Sequence, residues 1–281
     1  MLRARLRTEV FGGFPKTPRP DAKTFAAVGH EGGLRRPVKF EPEKGLPLSL
    51  LVLSKTGVKA PAPTCVLLHL DGKAEALKHP LAGALVEKGC TVVAPDLRAT
   101  GEAKQEADMV HGAPDHNAAE HAVWVGRPLL GQWAFDVHCL LDWMALQPEL
   151  NPEQLVVIGI GQAGVIALCA AATDDRVHTV AAFDAPATLV TEEAYAPGTR
   201  MGLLAPNLFA VGDVPHLAAL GAPRRLFIVG AVTPQGKKLP EKDIKEAFRF
   251  TSEVYNLFKA ADMLTLLEDG KPEDVAALLV L

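Results

Sequence analysis

The run Leu155-Val-Val-Ile-Gly-Ile-Gly-Gln-Ala-Gly164, followed by the small apolar stretch Val165 to Ala172, is where this chain would do covalent chemistry. A buried strand that breaks sharply into a helix through small residues lifts its apex residue clear of the sheet, where a nucleophile can attack. The turn needs small side chains two positions before and after that apex, and Gly159 and Ala163 supply them. The apex is Gly161, which has no side chain to attack with. What the turn keeps is the backbone N–H of Gln162, at a helix N-terminus, where it can bind an anion or a carbonyl oxygen. The other reading of the glycines is that they serve only close strand–helix packing.

Titratable groups near this turn are few. His69 ends an apolar run and is followed by Asp71, so it is the strongest titratable candidate in the cleft. A neutral core histidine bonded to a backbone carbonyl is the competing reading. A second constellation is His111-Gly-Ala-Pro-Asp-His-Asn-Ala-Ala-Glu-His121. His116 and Glu120 stand one helical turn apart if the segment is helical, while His121 turns away, and the spacing matches no known metal motif. His111, His116 and His121 are therefore weak metal candidates. A solvated cap loop is the plainer reading. Its functional version uses Asp115, His116 and Asn117 as polar contacts and Trp124 as a platform for a sugar ring.

The chain has only three serines, Ser49, Ser54 and Ser252, and none lies near the turn. Cys65, Cys90, Cys139 and Cys169 lack CxxC spacing and read as reduced, buried thiols. The length of 281 residues with 48% hydrophobic residues allows a substantial core, and the net charge of −4 gives no field for nucleic acid. No apolar run reaches the ~20 residues of a membrane span. The basic start lacks the apolar region of a signal peptide, so a cytoplasmic location is expected. No cofactor is expected.

Strands and helices alternate from about residue 64. Strands are predicted at Thr64–Leu70, Thr91–Pro95, Leu155–Ile160, Thr179–Phe183, Arg225–Val229 and Met263–Leu267. Helices are predicted at Ala74–Lys88, Leu129–Leu146, Gln162–Ala172 and Glu241–Phe258, with another opening at Pro272. Continuous apolar strands imply a mostly parallel sheet covered by helices on both faces, an α/β fold. Val38–Phe40 and Ser49–Leu53 read as an opening hairpin. Residues 1–35 read as a connector helix and extended arm, and residues 36–281 as one domain with a cap insertion at about 97–128.

The element order, with the sharp turn after the third main parallel strand, resembles the α/β-hydrolase fold. Leu68-His-Leu-Asp-Gly-Lys73, Ala94-Pro-Asp-Leu-Arg-Ala-Thr-Gly101, Gly126-Arg-Pro-Leu-Leu-Gly-Gln132 with Asp136, and Ala222-Pro-Arg224 are similar to its acetyl-xylan-esterase-like and dienelactone-hydrolase-like branch. The resemblance implies a nucleophile at Gly161, an acid at Thr233 after the strand Arg225–Val229, and a His within Glu268–Glu273. None of the three is present. It implies further that Leu70–Gly72 would offer a second oxyanion donor and that Asp96 and Arg98 fix a loop. Asp136 is placed to pair with Arg127 or Arg98, Asp184 sits where a displaced acid can occur, and Asp213 reads as structural.

Two functions follow. One is a non-catalytic domain that binds an ester, carboxylate or sugar, or that supports a partner esterase domain or a second copy of itself. The other is a carboxylic-ester hydrolase with a non-standard or metal-assisted site.

Overall fold

The computed structural model describes residues 1–16, 20–30 and 33–280. Among these, ten strands form one sheet. They are β1 (Asp21–Thr24), β2 (Val28–His30), β3 (Gly33–Glu43), β4 (Leu46–Lys55), β5 (Ala62–Leu68), β6 (Thr91–Pro95), β7 (Leu150–Ile160), β8 (Thr179–Phe183), β9 (Arg225–Val229) and β10 (Leu264–Leu267). The order across the sheet is β1-β3-β4-β6-β5-β7-β8-β9-β10, with β2 paired to β3. From β5 to β10 neighbours run parallel, while β3, β4 and β6 pair antiparallel.

Side-chain alternation explains why these strands read as unbroken apolar runs. On β5, Cys65 and Leu67 enter one core with Leu81, Leu85 and Ile158, while Val66 and Leu68 enter the larger core with Trp133, Leu140 and Val157. Helices Pro80–Glu87 and Pro272–Leu279 cover the first face, and Leu129–Met144 and Ala163–Thr173 the second. Among the described residues, no helix is long and apolar enough to cross a membrane.

Three elements differ from the sequence expectation. The helix expected over Ala74–Lys88 is two, Lys73–Lys78 and Pro80–Glu87, because Pro80 has no N–H to donate and holds His79 extended at ψ 132°. The helix expected over Glu241–Phe258 divides at Phe248, whose side chain turns into the core. Within residues 11–35, β1 and β2 pair with β3 rather than forming a free arm, and Leu6, Val10 and Phe11 are fully buried against the main body. The cap segment 97–128 carries a short 3-10 turn, Gly101–Ala103, and one α-helix, His116–Trp124.

Chain order fixes where a ligand can sit. After β5 the chain crosses to β6 on one side and later returns to β7 on the other. The carboxyl ends of β5 and β7 therefore diverge into a crevice, the usual ligand position in open parallel sheets.

Buried charge clamps the loops around this crevice. Asp96 accepts from the backbone N of Lys73 (2.7 Å) and from Lys73 Nζ (2.5 Å), and Ser49 and Glu102 join the cluster. Arg98 lies over Asp136, donating from both its backbone N (2.9 Å) and its Nε (3.0 Å). Its Nη1 reaches Gln132 Oε1 at 2.6 Å and Glu43 at 2.8 Å. Arg127 also pairs with Glu43, at 2.8 Å.

Candidate functional site

A cavity of about 430 Å³ opens at the carboxyl ends of β5, β7 and β8, with Gly161 and Gln162 in its wall. Gly161 follows β7 with φ +58°, its N–H donated to Phe183 O at 2.7 Å. A Cβ built there meets no atom within 4 Å, so the apex of the turn is open. The flanking glycines are constrained by contact instead. A Cβ on Gly159 would lie 2.2 Å from the carbonyl oxygen of Ala163, and one on Gly164 2.5 Å from Ala185 Cβ. The glycines thus differ by position: Gly159 and Gly164 let the helix close on the strand, while the apex at Gly161 is open.

Gln162 is fastened across the opening. Its Oε1 accepts from Arg200 N (2.7 Å) and its Nε2 donates to Gly198 O (3.2 Å). Arg200 in turn spans to the loop after β5, where its Nη2 donates to Leu70 O (2.8 Å) and Asp71 Oδ1 (2.5 Å). The Arg200 side chain is 3% exposed and lies in the cavity wall. Its Nη1 is buried and has no hydrogen-bond partner among the described residues.

His69 and Asp71 also line the cavity. His69 Nδ1 accepts from the backbone N of Asp71 at 3.0 Å, so the neutral ring carries its proton on Nε2. Burial lowers the His69 pKa, outweighing the opposing pull of Asp71 and Glu75. The Nδ1 lone pair of the ring is thus taken up by Asp71 N, and Nε2 is left as an N–H donor. His79 repeats the arrangement one loop away, its Nδ1 accepting from Leu81 N at 3.3 Å.

Asp184 directly follows β8 in a left-handed conformation (φ +51°), and its Oδ1 meets Lys238 Nζ at 2.6 Å. No hydrogen bond joins Asp184 to a histidine among the described residues. Thr233 reaches the cavity wall but closes a turn, its N donating to Lys237 O at 2.8 Å. After β10, Glu268 accepts from the backbone N of Glu241 at 3.1 Å. Ser49 and Ser54 lie on β4, and Ser252 donates to Phe248 O. Burial pushes the Cys169 thiol well above its ordinary range.

The cap residues lie elsewhere. Asp115 is fully buried, and its carboxylate accepts from Met201 N (2.8 Å) and Gly202 N (2.9 Å), holding the loop that carries Arg200. His116 Nδ1 lies 3.3 Å from Asn117 Oδ1, and Asn117 N donates to Asp108. Trp124 is 70% exposed, its ring 5.1 Å from that of His121. None of Asp115, His116, Asn117 or Trp124 lines the cavity. Among the described residues, no group of three or more His, Cys, Asp or Glu could hold a metal ion, so His111, His116 and His121 do not come together as ligands.

The structure thus gathers His69, Asp71, Gly161, Gln162 and Thr233 at one cavity. Sequence reasoning missed Arg200, Lys238 and Tyr195, whose OH donates to Leu189 O at 2.6 Å. The available signal was the long segments after β8 and β9, since long loops at the carboxyl edge of a parallel sheet commonly carry binding residues.

No protein-family model matches the chain, and no curated protein matches it by sequence. Solved structures do. A candidate acetyl xylan esterase from Bacteroides fragilis superposes with a TM-score of 0.74 at 17% identity, covering 94% of this chain and 72% of that one. A glucuronoyl esterase from Solibacter usitatus gives 0.67 at 14% identity over 99% of this chain and 89% of its own. A carbohydrate esterase family 15 glucuronoyl esterase from Caldicellulosiruptor kristjansonii gives 0.63 at 20% identity, over 99% and 82%. These are α/β-hydrolase-fold enzymes, and the fold of this chain is the α/β-hydrolase fold.

Proposed function

We propose that this chain is a non-catalytic member of the α/β-hydrolase fold, which holds a small ester, carboxylate or sugar in the cavity at its elbow. The observation that carries the reading is Gly161: the elbow keeps its turn and its open apex, with no side chain to attack from it. Acyl transfer needs a nucleophile activated by a base that an acid orients. The Nδ1 of His69 is occupied by Asp71 N, which leaves the proton on Nε2 and no free lone pair to act as a base. Asp184 is matched by Lys238, and Thr233 closes a turn. The fold's likeness to carbohydrate esterases supports a sugar-sized ligand. A supporting role beside an active esterase domain is compatible with the same cavity.

The test is hydrolysis of 4-nitrophenyl acetate and acetylated xylan, together with labelling by a serine-directed phosphonate. Wild type is expected to show background rates and no labelled serine. Gly161→Ser adds an alcohol that has room to stand but no base. It should therefore remain within the ~10³–10⁴-fold over water that binding and oxyanion donors alone provide. Robust turnover by either protein, or a stoichiometrically labelled serine, would return the chain to the working esterases with a non-standard site.

A further inference from the structure

We propose that the elbow cavity takes a neutral carboxamide carried on an apolar body, an aryl or short acyl amide; this rests on reading the cavity as a ligand site. Its apolar and polar surfaces are divided between wall and floor. The loops after β8 and β9 supply the wall through Pro186, Leu189, Tyr195, Val232 and Pro234. Their backbones are joined, Val232 N donating to Ala185 O (2.9 Å), Ala187 N to Val232 O (2.8 Å) and Ala196 N to Pro234 O (3.1 Å). A wall tied in this way stands before a ligand arrives, so little order has to be gained on binding.

The polar groups along this wall are spent on the protein itself. Tyr195 OH donates to Leu189 O (2.6 Å), Thr199 Oγ1 donates to Ala196 O (2.7 Å), and Thr233 Oγ1 accepts from Lys237 N (3.3 Å). Both ends of the Gln162 amide are taken, by Gly198 O and Arg200 N. A polyhydroxylated ligand would bury hydroxyls against this surface with few partners to meet them, at a cost for each. An apolar body loses nothing there and gains by leaving water.

The unmet polar groups lie on the floor, at the strand ends. Among the described residues, Arg36 Nε and Arg200 Nη1 are the only buried side-chain N or O atoms without a partner. His69 Nε2 and Asp184 Oδ2 have no hydrogen-bond partner among the described residues either, so both are open to solvent. His69 follows β5 and Asp184 follows β8, on either side of the apex that follows β7. The floor thus offers a donor and an acceptor, and a primary amide presents the matching acceptor and donor. Its ionised groups are balanced, Asp71 by Arg200 and Asp184 by Lys238. A charged ligand would give up its hydration and meet no unmatched counter-charge.

Calorimetric titration of the wild-type protein with phenylacetamide, its isosteric acid phenylacetate, acetamide and methyl β-D-xyloside tests the assignment. Phenylacetamide should bind about tenfold more tightly than each of the other three. Asp184→Asn puts a residue suited to the left-handed backbone in place and leaves Lys238 unmatched. It should reverse the order of phenylacetamide and phenylacetate, with circular dichroism confirming the fold. Wild type that binds phenylacetate as tightly as the amide, or a folded Asp184→Asn that still prefers the amide, overturns the neutral assignment. Acetamide binding as tightly as phenylacetamide overturns the apolar one. Tightest binding of the xyloside overturns both assignments and keeps the cavity as a ligand site. Binding of no probe at millimolar concentration overturns the reading of the cavity as a ligand site as well.

Discussion

Arg98 and Arg200 are both buried cations at the carboxyl end of the sheet, and their surroundings treat them differently. Arg98 has Asp136, Gln132 and Glu43 around it, with acceptors at Nε, Nη1 and Nη2. Arg200 has acceptors at Nη2 alone, and one of them, Asp71, is 60% exposed. The first arrangement is a closed clamp between the loop after β6 and the helix Leu129–Met144. The second is an open one. The motifs most similar to the esterase-like branch, around Asp96, Arg98, Gln132 and Asp136, belong to the closed cluster. They keep the crevice in shape whether or not anything reacts there, which is how a fold can carry a family's motifs without its chemistry.

The largest effect that separates the two clusters is on stability. Asp136→Ala removes the fully buried carboxylate under Arg98 and leaves Glu43 as its remaining counter-charge, and about 3–5 kcal/mol should be lost in urea unfolding. Asp71→Ala removes a partner that is 60% exposed, where water can take its place, and should cost less than Asp136→Ala. Similar losses for both variants would show that the open cluster is as structural as the closed one.

The elbow glycines give a smaller contrast. Gly159→Ala drives a methyl into the Ala163 carbonyl, and a loss of up to ~3 kcal/mol is expected from the forced backbone shift. Gly161→Ala meets nothing and should cost only the left-handed conformation, about 1–2 kcal/mol. A reversed order would mean that the apex is packed rather than open.

The smallest effect is on pH dependence. The pKa of His69 is lower folded than unfolded, so the unfolded chain takes up more protons as pH falls through the region of ordinary histidine. The contribution of His69 is complete above its unfolded pKa and disappears as pH drops toward the folded value. Titrating urea midpoints from pH 8 to 5 should show wild type losing more stability than His69→Gln. Parallel curves would mean that His69 is not held neutral by burial.

Much of the fold was legible because it is written in periodicity. The continuous runs Cys65–Leu68 and Val156–Ile160 could only be strands buried on both faces, and Gly159 with Ala163 marked the turn between strand and helix. The apex Gly161 was legible for the same reason. The cap was misleading because residue type does not report direction. Asp115 and His116 are adjacent polar residues, yet one is buried under the chain at 201–202 and the other lies beside Asn117, outside the cavity lining. Arg200 was illegible because its contacts with Leu70, Asp71 and Gln162 are made where the loops after β5, β7 and β8 meet, and no local pattern encodes that meeting.

The left-handed backbone at Gly161 also bears on the direction in which such a chain can change. Glycine occupies φ +58° without strain, so the turn is relaxed as it stands. Any side chain introduced there meets a conformational cost of about 1–2 kcal/mol at once, out of a domain stability of about 5–15 kcal/mol. Its catalytic benefit would wait on a base and an acid that must arrive by separate substitutions. Each early step toward hydrolysis therefore gives a less stable protein with no new activity, and selection has nothing to favour. On the function proposed above, the glycine at the apex acts as a ratchet against that change.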